Sequence, residues 1–284
     1  RPAFIAIEHE HLDPELVSNE KAPCDAAWSD EVHHSLHTAI SSERDGYYRE
    51  HAARPIARLG RALAEERSRF VQCLQNHDHI GNRPFGERIT ALAGPDAVRA
   101  ATAVVLLAPS LPLLFMGQEW GASSSFFFFC DFEPELSRQV RAGRHAAFRE
   151  FTGFSDPLLR ERVPDPSAAS TFSASVLDWG EREFAEHRAW LTFHRHLLQT
   201  RHTEIVPLID EISRRDSCFE TCGERGLIVR WQTSDGMLAL DANLGPAPCG
   251  GFEQTPPGRV IYASSGSTYP AGIAPPWSVR WALC

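Results

Sequence analysis

Asn76-His77-Asp78 ends a short apolar run, Phe70-Val71-Gln72-Cys73-Leu74, whose length and residue types are those of a buried strand. Carboxylates delivered at a strand end can serve acid–base or charge-stabilising chemistry. In a parallel α/β barrel, residues at the C-terminal ends of strands project into the cleft. The plainer alternative is a strand end whose Asp caps a turn, since Asn and Asp favour turns through local hydrogen bonds. A second carboxylate is presented the same way, because Ala3-Phe4-Ile5-Ala6-Ile7 reads as a buried strand and hands over to Glu8. Read alone, Glu8 is equally a solvated loop residue.

The elements between these groups read as follows. His9 to Pro14 is loop. Cys24-Asp25-Ala26-Ala27-Trp28 is a weaker strand ending at Trp28. Asp30 is placed to N-cap a helix with Glu31 in its first turn and Val32, Leu36, Ala39 and Ile40 as its apolar stripe. His33, His34 and His37 lie on that helix. His33 and His37 are four residues apart and could meet a metal, but the His-Glu-x-x-His order is absent, so hydrogen bonding at a cleft rim is the expected role. Neither a metal nor a cofactor is expected.

Residues 50–69 read as a helix whose start Pro55 limits. After Asp78, Gly81 and Pro84 favour loop before any helix begins. Short and longer helices follow over 87–93 and 96–108, the second apolar on most sides and stopped by Pro109. The strand Leu113-Leu114-Phe115-Met116 then leads into Gly117-Gln118-Glu119-Trp120-Gly121. Strands ending at Glu8, Trp28, Asp78 and Gln118 with helices between them form the βα pattern of a parallel sheet. Only four units are visible, where a closed barrel needs eight.

Phe126 to Phe129 are four consecutive aromatics that line a cleft, meet another domain or cover a core. Helices are expected over 135–151 and 181–201, with irregular chain over 152–180. From about residue 204 short strands follow one another without helices, at 227–231, 237–240, 259–262 and 278–281, which reads as a small antiparallel sheet or sandwich. The domain boundary is therefore expected between 203 and 204.

With 43% hydrophobic and 23% charged residues, the 284-residue chain has an ordinary globular composition. Its net charge of −9 argues against a nucleic-acid partner. The longest apolar run, 100–108, is too short to span a membrane. Seven scattered cysteines without a second pair at zinc spacing, and no Asn-X-Ser/Thr site, fit a reduced cytoplasmic protein. The chain opens at Arg1, directly in front of a strand, which suggests a fragment.

Taken in order, several segments resemble glycoside hydrolase family 13, the α-amylase family. They are Ile7-Glu8, Leu12-Asp13-Pro14, Asp25-Ala26-Ala27-Trp28-Ser29-Asp30, Val32-His33-His34-Ser35-Leu36-His37, Gly46-Tyr47-Tyr48, Gln75-Asn76-His77-Asp78, Gly81-Asn82-Arg83 and Phe115-Met116-Gly117-Gln118-Glu119-Trp120-Gly121. Asn-His-Asp marks the wider family. The Trp-Ser-Asp-x-x-His-His and Gln-Glu-Trp-Gly segments resemble its branch that releases trehalose from malto-oligosyltrehalose.

The resemblance implies an α/β fold, the second half of a (β/α)8 TIM-type barrel followed by a small antiparallel β domain. It implies that Glu8 is the general acid/base after the fifth strand, with its pKa raised by burial and neighbouring carboxylates. Asp78 is then the transition-state stabiliser after the seventh strand, and His77 its sugar-binding neighbour. Trp28, Asp30, His33 and His34 line the cleft after the sixth strand, and Gln118, Glu119 and Trp120 follow the eighth, with Trp28 and Trp120 offering faces to glucose rings. The partner implied is malto-oligosyltrehalose or a related α-glucan.

Two departures bear on this reading. The family's nucleophilic Asp ends the fourth strand, upstream of Arg1, so the chain alone is expected to be inactive. The segment from Tyr48 to Phe70 is shorter than usual, which leaves substrate preference more open than reaction class. Branching-type glucan transfer and non-catalytic glucan binding are the alternatives.

Overall fold

Strands β1 (Ala6–Ile7), β2 (Ala26–Trp28), β3 (Phe70–Cys73) and β4 (Leu111–Leu113) lie side by side in that order in one parallel sheet. The computed structural model describes residues 3–8, 17, 23–41, 43–65, 69–151, 156–212 and 216–284. The loop expected over His9 to Pro14 lies outside the described residues. Ile7 pairs with Ala27, Trp28 with Val71 and Cys73 with Leu113. Because every strand points the same way, Glu8, Trp28, Asp78 and the 114–121 loop all leave from one edge of the sheet.

Helices α1 (Glu31–Ile40) and α2 (Pro55–Glu65) connect β2 to β3. Helices α3 (His77–Gly81), α4 (Ile89–Leu92) and α5 (Pro95–Leu107) connect β3 to β4. Nearly all of α5 is buried, including Val98, Val104, Leu106 and Leu107, as its apolar composition requires. The chain continues through α6 (Pro134–Ala147), α7 (Pro157–Glu161), α8 (Ala169–Ala174) and α9 (Ala185–Thr200). The Arg201 guanidinium at the end of α9 donates to the carbonyls of Leu106 (3.0 Å), Ala108 (2.6 Å) and Ser110. It thereby caps the C-terminus of α5, whose last carbonyls have no partner within the helix. Burial pulls its pKa down to about 10.

A five-stranded antiparallel sheet follows: β5 (Ser217–Cys222), β6 (Gly226–Gln232), β7 (Met237–Asn243), β8 (Arg259–Ala263) and β9 (Ser278–Leu283), in the order β5-β6-β7-β9-β8. It is not a separate body. Leu59 and Leu63 of α2 share one buried core with Val229, Trp231 and Trp281 of the sheet. Trp231 Nε1 donates to Leu63 O (3.0 Å), and Ser217 Oγ to Ala64 O (2.7 Å). At Gly60 any Cβ would collide with the Phe219 ring, so the close approach of α2 to β5 requires glycine.

Several local expectations are corrected. Strand β1 covers only Ala6 and Ile7 of the five residues expected. Strand β4 begins two residues early and contains Pro112, which lies opposite Gln72 of β3. The chain after Asn76 does not loop but turns at once into α3, because the Asn76 side chain accepts from His79 N at 2.8 Å and caps it. Asp30 makes no capping bond, its carboxylate being engaged elsewhere. Strand β5 was not foreseen, because Ser-Cys-Phe-Glu-Thr-Cys carries too few apolar residues to announce a strand.

Asp241 on β7 is buried between two guanidinium groups. Arg230 Nη2 donates to one carboxylate oxygen at 2.7 Å, and Arg280 donates to the other through Nη2 at 2.5 Å and Nε at 3.1 Å. Removing one partner of a buried ion network leaves charge without compensation. Asp241→Ala is therefore expected to destabilise the protein by about 3–5 kcal/mol, read as a lower urea midpoint at unchanged slope. A change within about 0.5 kcal/mol, the range of an ordinary surface substitution, would show that the triad is dispensable.

Candidate active site

His33 is where the site is built. It lies on the buried face of α1, and its Nδ1–H donates to Leu74 O at 2.7 Å, tying the helix to the end of β3. A carbonyl only accepts, so this bond fixes the tautomer and leaves Nε2 to accept from the Tyr48 hydroxyl at 3.2 Å. The His79 ring of α3 lies flat on His33, centroids 3.4 Å apart and planes within 6°. His79 Nε2–H then donates to Asp30 Oδ1 at 3.1 Å. Residues 30, 33, 74 and 79 are thus joined without a gap, and Asp78 is the residue before the last of them.

Beside this chain of contacts opens a cleft of about 330 Å³ lined by Asp30, His34, Tyr47, Tyr48, Asp78, His79, Asn82, Arg83 and Phe151. Asp78 is exposed to it, and Oδ1 accepts from Asn82 Nδ2 at 2.6 Å. Tyr47 is exposed and meets Phe151 edge to face at 5.7 Å. Beneath the cleft, Arg83 grips Glu43 with two bonds of 2.7 and 2.6 Å, while His37 Nε2 lies 2.6 Å from the same carboxylate.

Burial governs the titration of this wall. It holds His33 well below the ordinary imidazole range, with the nearby His79 and His37 reinforcing the shift. It lowers His34 to about 3, together with His51 and His79. Burial also lowers His37, against the opposing pull of Glu43. For Glu43 the burial cost is outweighed by the bonds from His37 and Arg83, and its pKa falls to about 2. Asp30 is lowered chiefly by its bond from His79. Glu31 falls to about 2, chiefly through His51 and also through Arg58. At neutral pH His33, His34 and His37 are therefore neutral beside the ionised Asp30, Glu31 and Glu43.

The ring nitrogens of His33, His34 and His79 lie within 4.8 Å of one another. They do not make a metal site in this arrangement. An imidazole lone pair lies in its ring plane, and the parallel planes of His33 and His79 have no common point for an ion. Both nitrogens of His33 are also already bonded.

Of the residues expected at the site, Asp30, His34 and Asp78 line one cleft, and His33 stands directly behind it. His77 is exposed at the start of α3, and Trp28 is half-buried at the end of β2. Glu8 stands on the same sheet edge, two strands from β3, but it is exposed, so the burial expected of a proton donor is not supplied by the described residues. Gln118, Glu119 and Trp120 form a tight turn flanked by Gly117 and Gly121, both at positive φ. Arg88 holds this turn from either side, donating to Met116 O (2.9 Å) and Ser124 O (2.7 Å).

Trp120 offers no face to a sugar, contrary to expectation. It is 1% exposed, packed with Ala122 and Leu177, and lies 5.0 Å from the Trp179 ring. Tyr47, Tyr48, His79, Asn82, Arg83 and Phe151 were not foreseen as cleft residues. The Gly-Tyr-Tyr and Gly-Asn-Arg segments contain four of these, Tyr47, Tyr48, Asn82 and Arg83, but nothing in the sequence connects Phe151 to them.

A parallel sheet with carboxylates and imidazoles on its C-terminal edge, followed by an antiparallel sheet, defines the second half of an α-amylase-type barrel with its C-terminal domain. The chain belongs to the α-amylase family, glycoside hydrolase family 13. In particular, it is similar to malto-oligosyltrehalose trehalohydrolases: 38% identical to that of Deinococcus radiodurans, over 85% of this chain and 43% of the relative, and 34% to that of Arthrobacter ramosus, over 88% and 46%. It thus spans less than half the length of the curated relatives it matches. A solved structure from Salmonella typhimurium, assigned as an alpha amylase, superposes with a TM-score of 0.88 at 31% identity, covering 100% of this chain and 51% of that one. Residues 214–281 match the family described as Domain of unknown function (DUF3459). No helix among the described residues is long and apolar enough to cross a membrane.

The depressed histidines give this wall a direction of pH dependence. Between the ordinary imidazole pKa near 6.5 and the folded value of about 3 for His34, the unfolded chain binds the proton and the folded chain does not. Stability contributed here is therefore full above about pH 6.5 and falls as pH drops toward 3. Urea midpoints measured across that window should decline, and His34→Gln should flatten the decline. An identical slope in the variant would remove His34 from the account.

Proposed function

We propose that this chain is the C-terminal part of a retaining glycoside hydrolase that cleaves the α-1,4 bond next to the terminal trehalose of a malto-oligosyltrehalose, releasing trehalose. The observation that carries the reading is the cleft that gathers Asp78, Asp30, His34 and Tyr47 at the C-terminal edge of the parallel sheet, in a chain 38% identical to a trehalohydrolase. Residues 1–203 supply the second half of the barrel, and residues 204–284 a small β domain.

In this mechanism Glu8 donates a proton to the leaving glycosidic oxygen and later activates water. Asp78 accepts hydrogen bonds from sugar hydroxyls and favours the positive, oxocarbenium-like transition state. His77 binds the sugar beside it. Trp28, Asp30, His33 and His34 form the wall after β2, and Gln118 and Glu119 the turn after β4. Trp120 acts by anchoring that turn. A retaining mechanism also needs a carboxylate nucleophile about 5–5.5 Å from the acid, which falls to the preceding half of such a barrel. The free cysteines suit a reducing, cytoplasmic setting, and the product suits a role in trehalose formation.

The test is sugar release from malto-oligosyltrehalose by the full-length gene product. Free trehalose is expected, with a loss of roughly 10²–10⁴-fold in kcat for Glu8→Gln and roughly 10²–10³-fold for Asp78→Asn. Longer transfer products in place of trehalose would reassign the protein to glucan branching. Variants as active as the parent would remove both residues from the mechanism.

A further inference from the structure

Helix α6 has no buried residue among those described, yet one of its side chains bonds a residue that lines the cleft. Arg144 Nη1 donates to Asn82 Oδ1 at 3.0 Å, and Nη2 to Gly81 O at 2.7 Å. Its guanidinium lies over the Phe128 ring at 4.5 Å and the Phe148 ring at 5.0 Å. Two hydrogen bonds and two aromatic faces hold the planar group in one orientation.

That orientation determines what Asp78 meets. Guanidinium only donates, so the carbonyl end of the Asn82 amide must face Arg144. The NH2 end is thereby turned toward Asp78, whose ionised carboxylate only accepts. The reversed amide would set acceptor against carboxylate on one side and donor against guanidinium on the other. Asn82 is tied to residue 78 twice, since its backbone N–H also donates to Asp78 O at 2.9 Å. The 2.6 Å side-chain bond is short, as expected for a charge-assisted one.

We infer that Asn82 and Arg144 are positioning residues that hold the exposed Asp78 carboxylate in one rotamer, Arg144 acting through the Asn82 amide. This deepens the proposed function and rests on it for the role of Asp78, but the relay itself is open to test without substrate. Its first consequence is local. In the chain, the Asn82 side-chain amide protons exchange slowly with water, and Arg144→Ala speeds that exchange about tenfold or more.

Should Arg144→Ala fail to fold, Arg144→Lys serves instead. It keeps the cation and the aliphatic stem but loses the fork that reaches Asn82 Oδ1 and Gly81 O together, and it too speeds the exchange. Unchanged exchange in the folded variants overturns the relay.

Its second consequence is kinetic, in the full-length gene product acting on malto-oligosyltrehalose. Arg144→Ala and Asn82→Ala each lower kcat by about tenfold and leave KM within about twofold. The double variant is no worse than either single one, because the two residues act in series. Losses that multiply overturn the series arrangement and assign Arg144 to docking α6. Faster exchange in the Arg144 variants of a protein that hydrolyses no α-glucan keeps the relay and overturns its part in hydrolysis.

Discussion

The hydrogen bond from His33 to Leu74 O is the contact on which the cleft depends. A parallel sheet can aim side chains from its C-terminal edge only if the chain leaving each strand is held, and β3 leaves through Leu74, Gln75 and Asn76 before α3 begins. His33 holds the first of these from the neighbouring helix. Because the bond is to a carbonyl, it also fixes which nitrogen of His33 carries the proton. That tautomer receives Tyr48 on its far side and lets the His79 ring stack on its face. With Asn76 capping α3 and His79 bonded to Asp30, the four residues 76 to 79 are held at three points, and Asp78 is left as the one carboxylate among them exposed to the cleft.

This construction keeps His33 neutral. Burial disfavours its imidazolium first, and the His79 ring stacked at 3.4 Å adds to the shift. The positive charge that the wall does carry is guanidinium, which does not titrate, and it is matched by carboxylates: Arg83 by Glu43 and Glu87, Arg58 by Glu31. The cleft wall thus presents a neutral His34 and an ionised Asp30 at neutral pH.

The fold was legible where periodicity and punctuation were strong. Strand β3, the buried helix α5 and the four later strands of the antiparallel sheet follow from apolar runs bounded by Gly and Pro. Asn76 and Asp30 show why the rest was not. Both are good capping residues by type, but only Asn76 caps, because Asp30 finds an imidazole brought to it from 49 residues away. Trp120 carried the right motif and the wrong inference: its segment marks the family, while Leu177 and Trp179, from a region without periodic signal, decide that its face is covered. From beyond the last parallel strand Phe151 reaches the cleft and Arg144 reaches Asn82 in its wall, and such long-range contacts leave no trace in local sequence pattern.

The antiparallel sheet belongs in this account because of where it packs. Helix α2 lies between α1 on one side and β5 and β6 on the other, with Gly60 letting the sheet come close and Trp231 bonded to its last turn. Arg225 of the β5–β6 turn adds a bond to Ala39 O near the end of α1. A helix of ten residues is marginal on its own and takes its position from what covers its apolar face. The sheet fixes α2, α2 fixes α1, and α1 carries His33 to the end of β3. A β domain remote in sequence from Asp78 therefore shapes the cleft through rigid packing, with Asp241 and its two arginines keeping that sheet in register at the far end of the chain of contacts.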